Sequence, residues 1–167
     1  MGSERLLVLA PHTDDAELGC GGTLSRLVER GIEIFVAVFS IASGSLPADF
    51  RSDTLKHEFL CAMQVLGIPG GNALVSDYPV RRLDEHRQSI LEELVALRKE
   101  IAPDVVFLPC KQDIHQDHQV IYAEGVRAFK NASVFGYELP WNTLDFAPQL
   151  IVSLEERHVG NKWKMLQ

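Results

Sequence analysis

Leu6-Leu7-Val8-Leu9-Ala10 is an unbroken apolar run that stops at Pro11, and no other stretch constrains the fold of this 167-residue chain more tightly. A strand with one wet face alternates polar and apolar residues. A short run without alternation belongs in a sheet covered on both faces, as parallel sheets are. Val105-Val106-Phe107-Leu108 reads the same way, and residues 32–39 (IEIFVAVF) and 73–75 (ALV) are further strand candidates. Between them, apolar residues recur at helical spacing. After a Gly-rich turn (Gly19-Cys20-Gly21-Gly22), Leu24, Leu27 and Val28 run up to Gly31; Leu55, Phe59, Met63 and Leu66 run up to Gly67; Ile90, Leu91, Leu94, Leu97 and Ile101 mark a longer helix over 87–101. A helix is expected over 117–130 with Asp117 as its cap. Two more strands are expected near 134–138 and 150–154. Strands alternating with helices in this way predict an α/β fold with a mostly parallel central sheet and helices on both faces.

The length fits a single domain, residues 1–167. Hydrophobic residues make up 46% and charged residues 23%, the balance of an ordinary globular protein. A net charge of -7 argues against nucleic-acid binding, which needs a basic patch. Cys20, Cys61 and Cys110 form neither a CxxC pair nor a secreted-type framework, and no segment is apolar and long enough for a signal core or a membrane span. These features predict a cytoplasmic protein.

Chemistry concentrates in two segments, Pro11-His12-Thr13-Asp14-Asp15-Ala16-Glu17 and Asp113-Ile114-His115-Gln116-Asp117-His118. Each follows the carboxyl end of an expected buried strand, the edge at which open α/β sheets bind ligands. Imidazole nitrogens and carboxylate oxygens are the donor set of catalytic zinc. His12 and Asp15 are three apart on a turn, as are His115 and His118, so each segment could aim two groups at one ion. Water activated by a metal still needs a proton acceptor, and Asp14 beside the ligands is the natural one. A histidine off the metal could stabilise a developing oxyanion. Asp117 could orient an imidazole or simply cap its helix.

PHTDDAE followed much later by HQDH resembles the LmbE-like, or PIG-L, family of zinc-dependent de-N-acetylases. The likeness extends to PHTDDAELGCGGT, the helix ending LGI, the DVVFLP strand and YELP. It implies a Rossmann-like three-layer fold and one zinc, or another divalent metal, held by His12, Asp15 and His118. It also implies Asp14 as general base and His115 as stabiliser of the tetrahedral intermediate; Asp117, read from the residues alone, joins them as a third catalytic-site residue. The implied substrate is an N-acetylglucosamine-like sugar or glycoconjugate. Thr13 and Gln116 stand where the family usually has proline, and Ala16 separates Asp15 from Glu17. Family members usually continue past the equivalent of Lys162-Trp163-Lys164, so part of a C-terminal segment is expected to be missing, with neighbouring chains of a homo-oligomer able to complete the rim. A metal-dependent phosphoesterase and a non-catalytic Rossmann-like binding module are the alternatives.

Other signals have duller readings. The glycines of Gly19-Cys20-Gly21-Gly22 lack the spacing of a dinucleotide fingerprint and suit close packing of the first helix. Cys20 and Cys110 read as small buried hydrophobes, and His57, His86 and His158 as solvated. Arg81-Arg82 could reach a sugar hydroxyl or phosphate, Trp141 could form a stacking wall, and residues 41–49 form the one loop long enough to edge a substrate site.

Overall fold

The computed structural model describes residues 4–145 and 147–167. Five parallel strands form one sheet in the order β3-β2-β1-β4-β5. They are β1 (Arg5–Ala10), β2 (Glu33–Val38), β3 (Ala73–Val75), β4 (Val105–Pro109) and β5 (Ser133–Tyr137). The helices are α1 (Asp15–Glu29), α2 (Thr54–Leu66), α3 (Arg87–Ile101), α4 (Gln116–Ala128) and α5 (Glu156–Met165).

The unbroken run of β1 is explained by what covers it. Leu6, Val8 and Ala10 join Leu24, Phe59 and Met63 in the core beneath α1 and α2. Leu7 and Leu9 point the other way, into a core with Ile90, Leu94, Ile121 and Phe129 of the α3–α4 layer. Successive side chains of a strand face opposite sides, so a strand buried twice has no position left for a polar residue. The result is a three-layer α/β fold, as expected.

Three local expectations fail. Helix α1 starts at Asp15 and runs straight through the glycines instead of beginning after a Gly-rich turn. The glycines are there for contact, not for turning: a Cβ on Gly19 would lie 2.4 Å from Cδ2 of Tyr137, a buried ring whose hydroxyl donates to the Leu9 carbonyl at 3.0 Å. Residues 150–154 are not a strand, and a helix, α5, follows them. It is fastened across α1 by Asn161 Nδ2 donating to Ser25 Oγ (3.0 Å) and Lys162 Nζ donating to the Leu18 carbonyl (2.6 Å). His158, expected to be solvated, is 2% exposed and bonds to Glu29 (2.7 Å) and the Glu155 amide (3.0 Å).

This strand order reverses direction between β1 and β4, which lie side by side. Loops leaving the carboxyl ends of such a pair diverge and open a crevice between them. Both chemistry-bearing segments leave from that point.

Candidate metal centre

Pro11 ends β1 and the chain turns at once into α1, placing His12, Asp14 and Asp15 within one tight bend. The His12 amide donates to Asp15 Oδ2 at 2.8 Å, which locks the bend. After β4, a short turn leads to α4, whose N-cap is His115 rather than Asp117: His115 Nδ1 accepts the Asp117 amide at 3.2 Å. Asp117 and His118 then occupy the first turn, fully buried.

Three atoms converge across the crevice. His12 Nδ1, Asp15 Oδ2 and His118 Nε2 are each 3.3 Å from the other two. A tetrahedral zinc with bonds of about 2.0–2.1 Å needs its ligand atoms about 3.3–3.4 Å apart. The backs of both imidazoles are committed elsewhere. His12 Nε2 donates to Asp117 Oδ2 at 2.9 Å, and His118 Nδ1 donates to Asp113 Oδ2 at 2.7 Å. With protons held on those outer nitrogens, the facing nitrogens and the Asp15 oxygen are all lone-pair acceptors. Three acceptors at van der Waals distance repel one another unless a cation sits among them. In the metal-free protein a proton takes that part. Burial on its own lowers the His12 pKa, but hydrogen bonds to Asp117 and Asp15 and their charges outweigh it and raise it to about 9.

The three histidines His12, His115 and His118 also form a cluster, with candidate ligand atoms within 4.8 Å of one another. The tighter triangle contains Asp15 in place of His115, and it alone has tetrahedral edges. Among the described residues no other group of histidine, cysteine or acidic side chains is arranged to hold a metal.

His115 stands beside the triangle, half-buried, its ring 4.6 Å from that of His118 and 5.1 Å from that of His12. Burial first, then the nearness of the two other imidazoles, lowers its pKa, so it is neutral at neutral pH. Because its Nδ1 accepts a backbone amide, its proton resides on Nε2. Asp14 occupies the N-cap position of α1, yet its side chain makes no capping bond. Part of the side chain reaches solvent, but the surrounding protein displaces enough water to raise its pKa, with the Asp15 charge adding to the effect.

Asp117 orients an imidazole, as the sequence allowed, but the imidazole is that of His12 from the other segment. It also accepts the Arg81 amide on Oδ2 (2.6 Å) and the Leu83 amide on Oδ1 (3.2 Å). These bonds, with that of His12, hold it ionised against a burial effect that acts the other way. Two participants escaped sequence reasoning. Asp113 was visible in the second segment without a role; it holds His118 through one oxygen and the His115 amide (2.9 Å) through the other. Glu17 is 3% exposed, its Oε2 has no hydrogen-bond partner, and burial pushes its pKa up to about 8. Trp141 is 62% exposed. Arg81 and the 41–49 loop meet at the rim, where Arg81 Nη2 approaches the Gly44 carbonyl at 3.4 Å.

A buried His/Asp cluster at the switch point of a three-layer α/β fold defines a class, and the family comparison places the chain in it. Residues 7–129 match the family model described as PIG-L, GlcNAc-PI de-N-acetylase, and the chain belongs to that family of deacetylases. It is 30% identical over 97% of its length to the Escherichia coli protein described as uncharacterized deacetylase YaiS, covering 88% of that protein. It is 26% identical over 78% of its length to the diacetylchitobiose deacetylase of Thermococcus kodakarensis, spanning about half (51%) of that longer protein. The fold superposes with a TM-score of 0.81 on the deacetylase of the teicoplanin biosynthesis pathway, crystallised with teicoplanin. The identity there is 16%, with 97% of this chain and 85% of that one covered.

Proposed function

We propose that the protein removes an acetyl group from an N-acetylglucosamine-like sugar or glycoconjugate, with one zinc held by His12, Asp15 and His118. The observation that carries this reading is the 3.3 Å triangle of three acceptors, each imidazole backed by a carboxylate. Another divalent cation with the same taste for nitrogen and oxygen would also fit. Bound there, the metal supplies Lewis acidity, making water acidic near neutral pH and drawing electrons from a carbonyl.

The protein's own groups do the rest. Asp14, free of any capping duty and raised by burial from its ordinary value, accepts the proton of the attacking water. His115 is neutral with its proton on Nε2, so it offers a hydrogen bond to the acetyl oxygen as that atom gains charge. Proton return from Asp14 or His115 lets the sugar amine leave. Asp117 and Asp113 keep the two ligand imidazoles in the required tautomer. The name of one relative, diacetylchitobiose deacetylase, points to N-acetylated sugars as the substrate class.

The phosphoesterase alternative calls for two metals and bridging carboxylates, whereas the described residues offer ligands for one ion. The three cysteines are free, and no described helix is long and apolar enough to cross a membrane; both features suit the cytoplasmic location we propose. The test is acetate release from a panel of N-acetylated sugars. Asp14→Asn should reduce kcat by roughly 10²–10⁴-fold. Full activity in that variant rejects Asp14 as the base.

A further inference from the structure

The two edges of the sheet are finished differently. At one edge β3 is three residues long, and so short a strand offers little to pair with. At the other edge β5 is five residues long and reads SVFGY, with no charge and no proline. Its register with β4 runs unbroken from Ser133 to Tyr137, so no bulge turns it aside. Among the described residues no strand covers its outer side. Charges, prolines, bulges and covering segments are the usual guards of an exposed edge, and β5 has none of them.

The register also fixes which groups that edge offers. The Ser133 amide donates to the Asp104 carbonyl (3.0 Å) and the Cys110 amide donates to the Tyr137 carbonyl (2.9 Å). Ser133, Phe135 and Tyr137 therefore spend their backbone groups on β4, and the alternate residues point theirs the other way. Val134 and Gly136 each hold an N–H and a C=O toward the open side, with Phe135 midway between them. Such an edge is complementary to itself. Turned about a twofold axis through Phe135, Val134 of one copy lies opposite Gly136 of the other, and each of the two pairs exchanges both of its hydrogen bonds.

The side chains agree with the backbone. Phe135 packs edge-on against Phe107, with ring centroids 6.2 Å apart, and both line an apolar groove of about 460 Å³ with Leu27, Leu150 and Ile151. The groove also takes in Glu4 and Arg5, at the opposite end of β1 from His12, so it is separate from the metal centre. Arg26 donates to the Ser153 carbonyl and holds the segment carrying Leu150 and Ile151 near α1. Phe135, Leu150 and Ile151 are 40%, 56% and 81% exposed, and apolar side chains grouped in this way mark an interaction surface. Two chains of net charge -7 repel one another, and an uncharged strand beside an apolar groove is where they can meet.

We infer that two copies of the chain join at this face, β5 against β5 and antiparallel, so that their sheets become one continuous sheet across a twofold dimer. Phe135 of each copy then stands opposite Phe135 of the other in the closely spaced, non-hydrogen-bonded position, over the two grooves. This assembly does not depend on the deacetylase reading.

Sedimentation equilibrium of the whole chain should give twice the 18.6 kDa of one copy. Hydrogen exchange read at single amides then locates the interface without any substitution. The Val134 and Gly136 amides should exchange roughly tenfold or more slowly in concentrated protein than after dilution, because only the dimer covers them. A cysteine scan checks the register. Non-hydrogen-bonded partners have Cα atoms about 4.5 Å apart, within the range of a disulfide. Phe135→Cys, in a Cys61→Ser background, should therefore link two chains when treated with diamide. Ser133→Cys, which the twofold sets opposite Tyr137 of the other copy, should not. The inference is overturned if the chain is a monomer, if a dimer leaves the Val134 and Gly136 amides exchanging as fast as they do on dilution, or if S133C links as readily as F135C.

Discussion

Replacing Asp113 with asparagine tests whether the carboxylates behind the triangle set its chemistry. In the native protein Oδ2 receives the His118 Nδ1 proton at 2.7 Å and Oδ1 receives the His115 amide at 2.9 Å. Asparagine keeps the shape but turns one acceptor into a donor. If the NH2 faces His118, the imidazole proton must move to Nε2, the atom 3.3 Å from both His12 Nδ1 and Asp15 Oδ2, where it blocks ligation. If the NH2 faces the His115 amide, two donors collide in the turn that presents both histidines. Either orientation should weaken metal binding by roughly 10–100-fold, the usual effect of losing such a partner, or about 1.4–2.7 kcal/mol. The metal-free protein should also lose about 1–3 kcal/mol, because a buried donor is left unpaired. Competition against a chromophoric chelator gives the first number and urea unfolding of the metal-free protein the second. A zinc Kd unchanged within about twofold would falsify the claim that Asp113 fixes the His118 tautomer.

Glu17 predicts an inverted pH response. Its folded pKa, about 8, lies above its ordinary value of 4.5, so the folded state holds a proton that the unfolded chain has lost, and stability falls as pH rises between those values. In metal-free protein Glu17→Gln should therefore match wild type near pH 4.5 and exceed it increasingly toward pH 8, by up to on the order of 4 kcal/mol; parallel urea curves across that range contradict it. Gly19→Ala drives a methyl into the buried Tyr137 ring and should cost about 1–3 kcal/mol, read as a lower Tm. Ala102→Gly removes a left-handed alanine at the end of α3 and should leave Tm unchanged or raised, by up to about 1 kcal/mol of stability.

The architecture was legible wherever a segment's pattern came from its own burial. The apolar runs of β1 and β4 and the spacing of α3 are direct imprints of two-sided and one-sided cores, so their positions follow from sequence. Helix α1 was obscured because Gly19, Gly21 and Gly22 answer to partners far along the chain, among them Tyr137 and Met165, that no local rule can see. Helix α5 was hidden for a similar reason, since much of its hold on α1 is polar, through His158, Asn161 and Lys162. At the site, the clustering of histidines and aspartates at one edge of the sheet could be read from two segments. The wiring between the segments could not, because Asp117 serves His12 across 105 residues and Arg81 joins it from a third loop.

The central claim is that Asp15, and not His115, completes the metal triangle with His12 and His118. Zinc per chain, measured by elemental analysis after equilibrium dialysis of wild type and of His12→Ala, Asp15→Asn, His118→Ala and His115→Ala, tests it directly. One zinc is expected in wild type and in H115A, with H12A, D15N and H118A failing to retain it. Two zincs in wild type, or metal kept by D15N and lost by H115A, would contradict it.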